Sequence, residues 1–138
     1  MSVPFSGGCA CGAVRYTCTG EPKYMGNCHC RDCQRATGSA YFAAVAVTKA
    51  DFNLNSGDLG WFESLSDRGK IMKRAFCTQC GSPILLINGA SPDFRVLYAG
   101  SLDDPGFYQP SRDIFVASAQ PWDHMDPEVP KYDRQWTR

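Results

Sequence analysis

Phe76-Cys77-Thr78-Gln79-Cys80-Gly81, read together with Gly8-Cys9-Ala10-Cys11-Gly12, decides how this chain is organised. In each stretch a glycine follows the second cysteine, where a backbone turning sharply under a metal ion often needs positive φ. Two such half-sites supply the four thiolates of a closed tetrahedral structural zinc on Cys9, Cys11, Cys77 and Cys80. Pairing them clamps the start of the chain to its middle. Metal binding of this kind contributes on the order of 10–16 kcal/mol in small peptides, enough to dominate a marginal fold.

Between the half-sites lies Cys28-His29-Cys30-Arg31-Asp32-Cys33, three thiols within six residues and no matching fourth cysteine elsewhere. Three protein ligands with a vacant fourth position is the pattern of reactive rather than structural zinc. Three thiolates leave such a site net negative and its metal a poor activator of water. A coordinating thiol is nevertheless deprotonated outright, so a sulfur-containing substrate is expected in preference to a hydrolytic water.

Other readings compete. His29 could close the middle site as fourth ligand, although both its neighbours are ligands and its ring would have to fold back; pointing away, it would support the loop or relay a proton. Cysteine spacing alone is also compatible with an iron–sulfur cluster, or with one binuclear cluster sharing all seven thiolates. A disulfide framework is disfavoured, because cysteines two and three residues apart rarely reach disulfide geometry. The eighth cysteine, Cys18, falls on the Val14/Tyr16 side of a strand and is assigned to the core.

The 138 residues are expected to form one domain, large enough to bury roughly 70% of the unfolded surface. Fourteen basic and fourteen acidic side chains cancel, which argues against a general nucleic-acid or membrane-surface partner. Met1 to Gly8 has no basic or apolar region of a secretory signal, and no apolar run approaches the ~20 residues of a membrane span. A cytoplasmic location follows, where clustered thiols stay reduced and usually mean metal or catalysis.

The segments between turn signals are short and mostly β-like. Ala13 to Thr19 alternates, with Val14, Tyr16 and Cys18 on one face. Tyr41 to Thr48 is a small-residue apolar run that suits a buried strand. Leu59 to Leu65 and Lys70 to Phe76 flank Ser66-Asp67-Arg68-Gly69 as a hairpin. Pro83 to Ile87 and Phe94 to Ala99 are two further strands, and Asp113 to Ala117 a last one. Arg31 to Thr37 reads as a short helix stopped by Gly38, and Thr48 as the cap of one turn over Lys49 to Phe52. From about Pro121 the tail has no periodicity and is expected to be irregular. The fold class is therefore mostly β, with antiparallel sheets, zinc knuckles and few short helices. Arg31, Arg35, Lys70, Lys73 and Arg74 are candidates to receive an anionic ligand's carboxylates. Trp61, Phe62 and Tyr98 could line a pocket but are expected in the core.

Gly8-Cys9-x-Cys11-Gly12-x-Val14-x-Tyr16, then Cys28-His29-Cys30-x-x-Cys33-x-x-x-x-Gly38, then Phe76-Cys77-x-x-Cys80-Gly81-Ser82 resemble the glutathione-dependent formaldehyde-activating enzyme family, which includes the centromere protein V-like proteins. The likeness continues through Ala99-Gly100-Ser101-Leu102-Asp103-Asp104-Pro105, Ile114-Phe115-Val116, Trp122 and Pro130-x-Tyr132. It implies an Mss4-like fold, a structural zinc on Cys9, Cys11, Cys77 and Cys80, and a catalytic zinc on Cys28, Cys30 and Cys33. The activity it implies is that of a carbon–sulfur lyase joining glutathione to formaldehyde as S-hydroxymethylglutathione. Members often carry a histidine just before the Ile-Phe pair, where this chain has Arg112-Asp113.

Two functional expectations follow. One is a zinc-dependent enzyme of the carbon–sulfur lyase type acting on a small thiol adduct, with glutathione as the example. The alternative is a non-catalytic zinc module that binds a protein or another macromolecular partner, its middle site closed by His29 or filled by that partner.

Overall fold

The alternation of Val14, Tyr16 and Cys18 has a direct structural consequence: all three are fully buried. In the computed structural model, which describes residues 2–135, Tyr16 and Cys18 belong to a three-stranded antiparallel sheet, and Val14 directly precedes its middle strand. Its strands are β1 (Phe5–Gly8), β2 (Arg15–Cys18) and β5 (Phe52–Ser56), in the order β1-β2-β5. The second sheet has seven strands: β3 (Tyr24–Cys28), β4 (Phe42–Thr48), β6 (Leu59–Leu65), β7 (Ile71–Cys77), β8 (Pro83–Asn88), β9 (Phe94–Tyr98) and β10 (Asp113–Ile114). Their spatial order is β10-β3-β4-β9-β8-β7-β6. Every pairing is antiparallel except that of β10 with β3.

The uninterrupted apolar run of β4 reflects burial of both its faces. Val45 and Val47 join Val14, Tyr16, Cys18, Ala75, Cys77, Leu85 and Leu97 in the core between the sheets. Phe42 and Ala44 point the other way, into a second cluster with Cys33, Leu86 and Tyr98. That cluster is covered by the one α-helix among the described residues, α1 (Arg31–Thr37), which Gly38 ends in the left-handed conformation at φ 68°. Each large apolar side chain fully buried contributes roughly 1.5–3 kcal/mol, so these clusters hold the sandwich together, and α1 lies on the outer face of the large sheet.

Several expectations need correction. Asp113 to Ala117 is not one strand, since only Asp113 and Ile114 pair, in parallel, with Asn27 and Cys28. Phe115 takes the left-handed conformation (φ 57°) and a 3-10 turn follows over Val116–Ser118. The N–H groups of Phe115, Val116 and Ala117 are taken instead by carbonyls of Arg134, Tyr132 and Asp133 in the tail. The turn after Thr48 is a 3-10 turn, Lys49–Asp51, with no side-chain cap on its backbone; the Thr48 hydroxyl bonds the Asp51 carboxylate at 2.9 Å. Trp61 and Phe62 are not core residues: they are 46% and 62% exposed, because β6 is the edge of the large sheet. Tyr98 is buried as expected. The tail from 121 is irregular apart from a bridge of Lys131 to Asp113; its last residues, 136–138, lie outside the described ones.

Candidate metal centres

The first half-site lies in the turn between β1 and β2; in the other, Cys77 ends β7 and Cys80 lies in the turn that follows. In both, local hydrogen bonding aims the backbone at sulfur. Val14 N–H donates to Cys9 Sγ at 3.2 Å, and the N–H groups of Gln79 and Cys80 donate to Cys77 Sγ at 3.3 and 3.4 Å. Gly12 (φ 81°) and Gly81 (φ 78°) supply the positive φ read from the sequence. Ser82 ties the halves together, its Oγ accepting from Ala10 N–H at 3.0 Å and lying 3.2 Å from Cys80 Sγ.

The four sulfurs converge, all within 4.8 Å of one another. Cys9 and Cys11 Sγ are 3.5 Å apart, Cys11 and Cys77 Sγ 3.8 Å. The edge of a tetrahedron with metal–sulfur bonds of about 2.3 Å is about 3.8 Å, so this donor set fits zinc. All eight cysteines are free thiols, which sets the disulfide framework aside. The Ser82 hydroxyl and nearby backbone N–H groups pull Cys80 down to about 5, as a thiolate-forming site requires.

Cys28 ends β3, Cys30 caps α1 and Cys33 lies in its first turn. Their sulfurs also lie within 4.8 Å of one another, and this group is separate from the four-cysteine group, so the seven thiols do not share one cluster. Cys33 N–H donates to Cys30 Sγ at 3.3 Å. Hydrogen bonds from the Cys28 and Cys33 thiols hold Cys30 far below the usual thiol range, and the same contacts push Cys28 well above it. Cys33 is lowered by Cys28 but raised more by Cys30 and burial, to about 12. Each thiolate therefore opposes ionisation of its neighbours, and three together call for a divalent ion. Cys33 is buried, whereas Cys28 and Cys30 are partly exposed, so the trio is reachable from solvent.

Among the described residues no fourth histidine, carboxylate or thiol completes the trio. His29 is fully buried and turned away: Nε2 lies 2.8 Å from Asp113 Oδ1, and Nδ1 2.8 Å from Asp123 Oδ2, the latter out of line for a hydrogen bond. Asp113 also accepts from Asn27 Nδ2 at 3.0 Å and from Lys131 Nζ at 3.1 Å. Gln34 Nε2 donates to the carbonyls of His29 and Ser118 at 2.8 and 2.9 Å. A buried polar frame thus grips the residue between two of the cysteines. It contains Asp113, the residue just before Ile114 and Phe115. Asp123 and Lys131 in the tail and Gln34 in α1 were not singled out in the sequence, because isolated polar residues carry no positional signal.

Of the five basic candidates only Arg74 reaches the site, its Nη2 3.7 Å from Cys33 Sγ. Arg31 bonds the Gln34 amide, Lys73 pairs with Glu63 at 3.6 Å, and Arg35 and Lys70 are exposed. A cleft of about 610 Å3 runs beside the Cys9 half-site, lined by Arg15, Ser39, Tyr41, Tyr98, Ser101 and Asp103 among others. None of Cys28, Cys30 and Cys33 lines it; Tyr98, which packs with Cys33, and Thr37, whose hydroxyl donates to the Cys33 carbonyl at 2.8 Å, border the cleft. No helix among the described residues is long and apolar enough to cross a membrane.

Residues 4–118 match the family model described as glutathione-dependent formaldehyde-activating enzyme. Among solved structures, a crystal structure of a Rhodobacter sphaeroides protein is similar, with a TM-score of 0.58 and 22% identity over 91% of this chain and 98% of that one. At that identity the likeness speaks for the fold. No curated protein matches the chain.

Proposed function

The chain belongs to the glutathione-dependent formaldehyde-activating enzyme family, and on that premise we propose that it is a zinc-dependent enzyme of the carbon–sulfur lyase type acting on a small thiol adduct. Cys9, Cys11, Cys77 and Cys80 would hold a structural zinc, and Cys28, Cys30 and Cys33 a catalytic one. The observation that carries this reading is the trio itself: three converging thiols, two of them partly exposed, with the neighbouring histidine locked onto carboxylates instead of closing the site.

Zinc bound there supplies a positive charge that keeps a substrate thiol deprotonated at neutral pH. The chain's residues supply position. Cys30 and Cys33 are fixed by α1, Cys28 by its pairing with Phe42 across β3 and β4, and the loop between them by His29 and Gln34. With glutathione and formaldehyde as substrates, the thiol loses its proton, sulfur bonds to the aldehyde carbon, and the former carbonyl oxygen takes up a proton, giving S-hydroxymethylglutathione. Nothing is oxidised or reduced. Holding the two reactants together contributes by converting an encounter into an oriented, effectively unimolecular step.

Calorimetric titration of the zinc-loaded protein with glutathione, beside Cys30→Ser, tests the reading. Binding by the wild type and its loss in the variant are expected; no binding by either would rule out glutathione. The non-catalytic alternative has one observation in its favour, the exposed Trp61, Phe62, Leu65 and Ile71 on the β6–β7 hairpin. It predicts no thiol binding at the trio, so the same titration separates the two.

A further inference from the structure

Arg74 occupies a place that the reaction just described leaves unused. It lies on β7 opposite Phe62 of β6 and Leu86 of β8, and Leu86 belongs to the apolar cluster beneath the thiol trio. It is only 9% exposed. Nη2 lies 3.7 Å from Cys33 Sγ and Nη1 3.5 Å from Ser64 Oγ, while the buried Nε has no hydrogen-bond partner. Among the described residues no aspartate or glutamate forms an ion pair with it. A guanidinium cannot shed its proton, and burying it without a counter-ion is strongly unfavourable. Burial works against its charge, yet the sulfur of Cys33 and the oxygen of Tyr98 more than offset that.

The charge count at the trio shows what such a cation does. A divalent ion with three thiolates is net negative by one, and a substrate thiolate would raise that to two in a largely dehydrated setting. Like charges in such a setting repel strongly. We propose that Arg74 is the counter-ion of the Cys28/Cys30/Cys33 site, a positioning residue whose fixed charge lets that site admit the anionic sulfur of a substrate. This role rests on the thiol-substrate reading above. It differs from gripping a substrate carboxylate, because the guanidinium is buried against Cys33 and not presented to solvent.

The test uses the full chain with cobalt(II) in place of zinc at both clusters, titrated with 2-mercaptoethanol, a thiol without a carboxylate, and followed by the visible bands of the cobalt. Arg74→Met keeps an apolar stem and removes the charge. For unit charges about 6 Å apart at an effective dielectric near 20, the loss amounts to up to about 100-fold in thiol affinity. Arg74→Lys recovers most of it. Weaker thiol binding, or loss of cobalt from the trio alone, reversed in Arg74→Lys, supports the role. If Arg74→Met does not fold, by far-ultraviolet circular dichroism and cobalt retention at the four-cysteine site, Arg74→Gln provides the same comparison. Equal thiol affinity in the neutral variant and the wild type overturns the counter-ion role and leaves the thiol reading standing. An effect seen with glutathione but not with 2-mercaptoethanol overturns it in favour of a carboxylate grip. Absence of thiol binding by the wild type overturns the thiol reading, and this role with it.

Discussion

Asp113→Ala removes the centre of the frame around His29, and the structure sets the size of the effect. Asp113 is 1% exposed; its Oδ1 serves His29 Nε2 at 2.8 Å and Asn27 Nδ2 at 3.0 Å. Both donors are buried, and each would be left without its acceptor at a cost of about 1–3 kcal/mol. Lys131 is partly exposed and keeps the carbonyls of Asp126 and Val129, so its loss is small. The two together give an expected destabilisation of about 2–6 kcal/mol, against a total stability of about 5–15 kcal/mol. Urea unfolding of the metal-loaded protein measures it, with an unchanged m-value showing that only stability moved. The effect also has a pH signature. Burial raises the Asp113 carboxyl, but His29, Asn27 and Lys131 outweigh it and leave it below its ordinary value. A carboxyl depressed in the folded state contributes stability above its unfolded pKa of about 3.9 and loses that contribution as pH falls through the folded value. The contribution of the carboxyl to the difference between wild type and variant should therefore be present above about pH 4 and shrink below it. A loss under about 1 kcal/mol at pH 7, or a difference that persists undiminished to pH 2, would refute the assignment. Because His29 lies between Cys28 and Cys30, metal affinity at the trio should also fall, by about 10–100-fold if the frame acts as a supporting shell.

Gly81→Ala tests the knuckle turn: a Cβ there meets nothing within 4 Å, so the cost is the left-handed backbone alone, about 1–2 kcal/mol by thermal unfolding. A cost well above that would point to packing instead. On the proposed two-zinc reading, Cys77→Ser lowers zinc per chain from two to one by elemental analysis and sharply reduces stability, while thiol binding at the trio survives; loss of both metals would show that the two clusters are not independent. Tyr16→Phe deletes a buried hydroxyl that lies 2.6 Å from Ser101 Oγ, which itself donates to the Tyr98 carbonyl at 2.8 Å. The expected cost is about 1–2 kcal/mol, and a neutral result in urea unfolding would mean that the bond adds nothing net.

Local pattern explains why so much of the fold could be read directly. Val14, Tyr16 and Cys18 had to face one way because side chains alternate along a strand. The Cys-Gly pairs had to be turns, and Gly38 had to end α1. The strands that escaped notice hold residues that disfavour extended structure: β1 holds Gly7-Gly8, β3 holds Gly26-Asn27, and β5 holds Asn53 and Asn55. Pairing with their neighbours, not propensity, makes them extended. The exposure of Trp61 and Phe62 was equally out of reach, since it follows from β6 lying at an edge, a property of strand order.

The site divides along the same line. Spacing along the chain determined which cysteines belong together within each half-site, and that the middle trio has no fourth partner in sequence. The matching Cys-Gly pattern also paired the half-sites at Cys9/Cys11 and Cys77/Cys80, whose sulfurs do converge. Tertiary structure alone decided that His29 turns onto Asp113 and Asp123, and that Arg74, of five basic candidates, touches a thiol. The physical reason is range. Turns and metal half-sites are written by residues two to four apart, whereas the partner of a buried charge is chosen by which strands become neighbours, and that is a property of the whole chain.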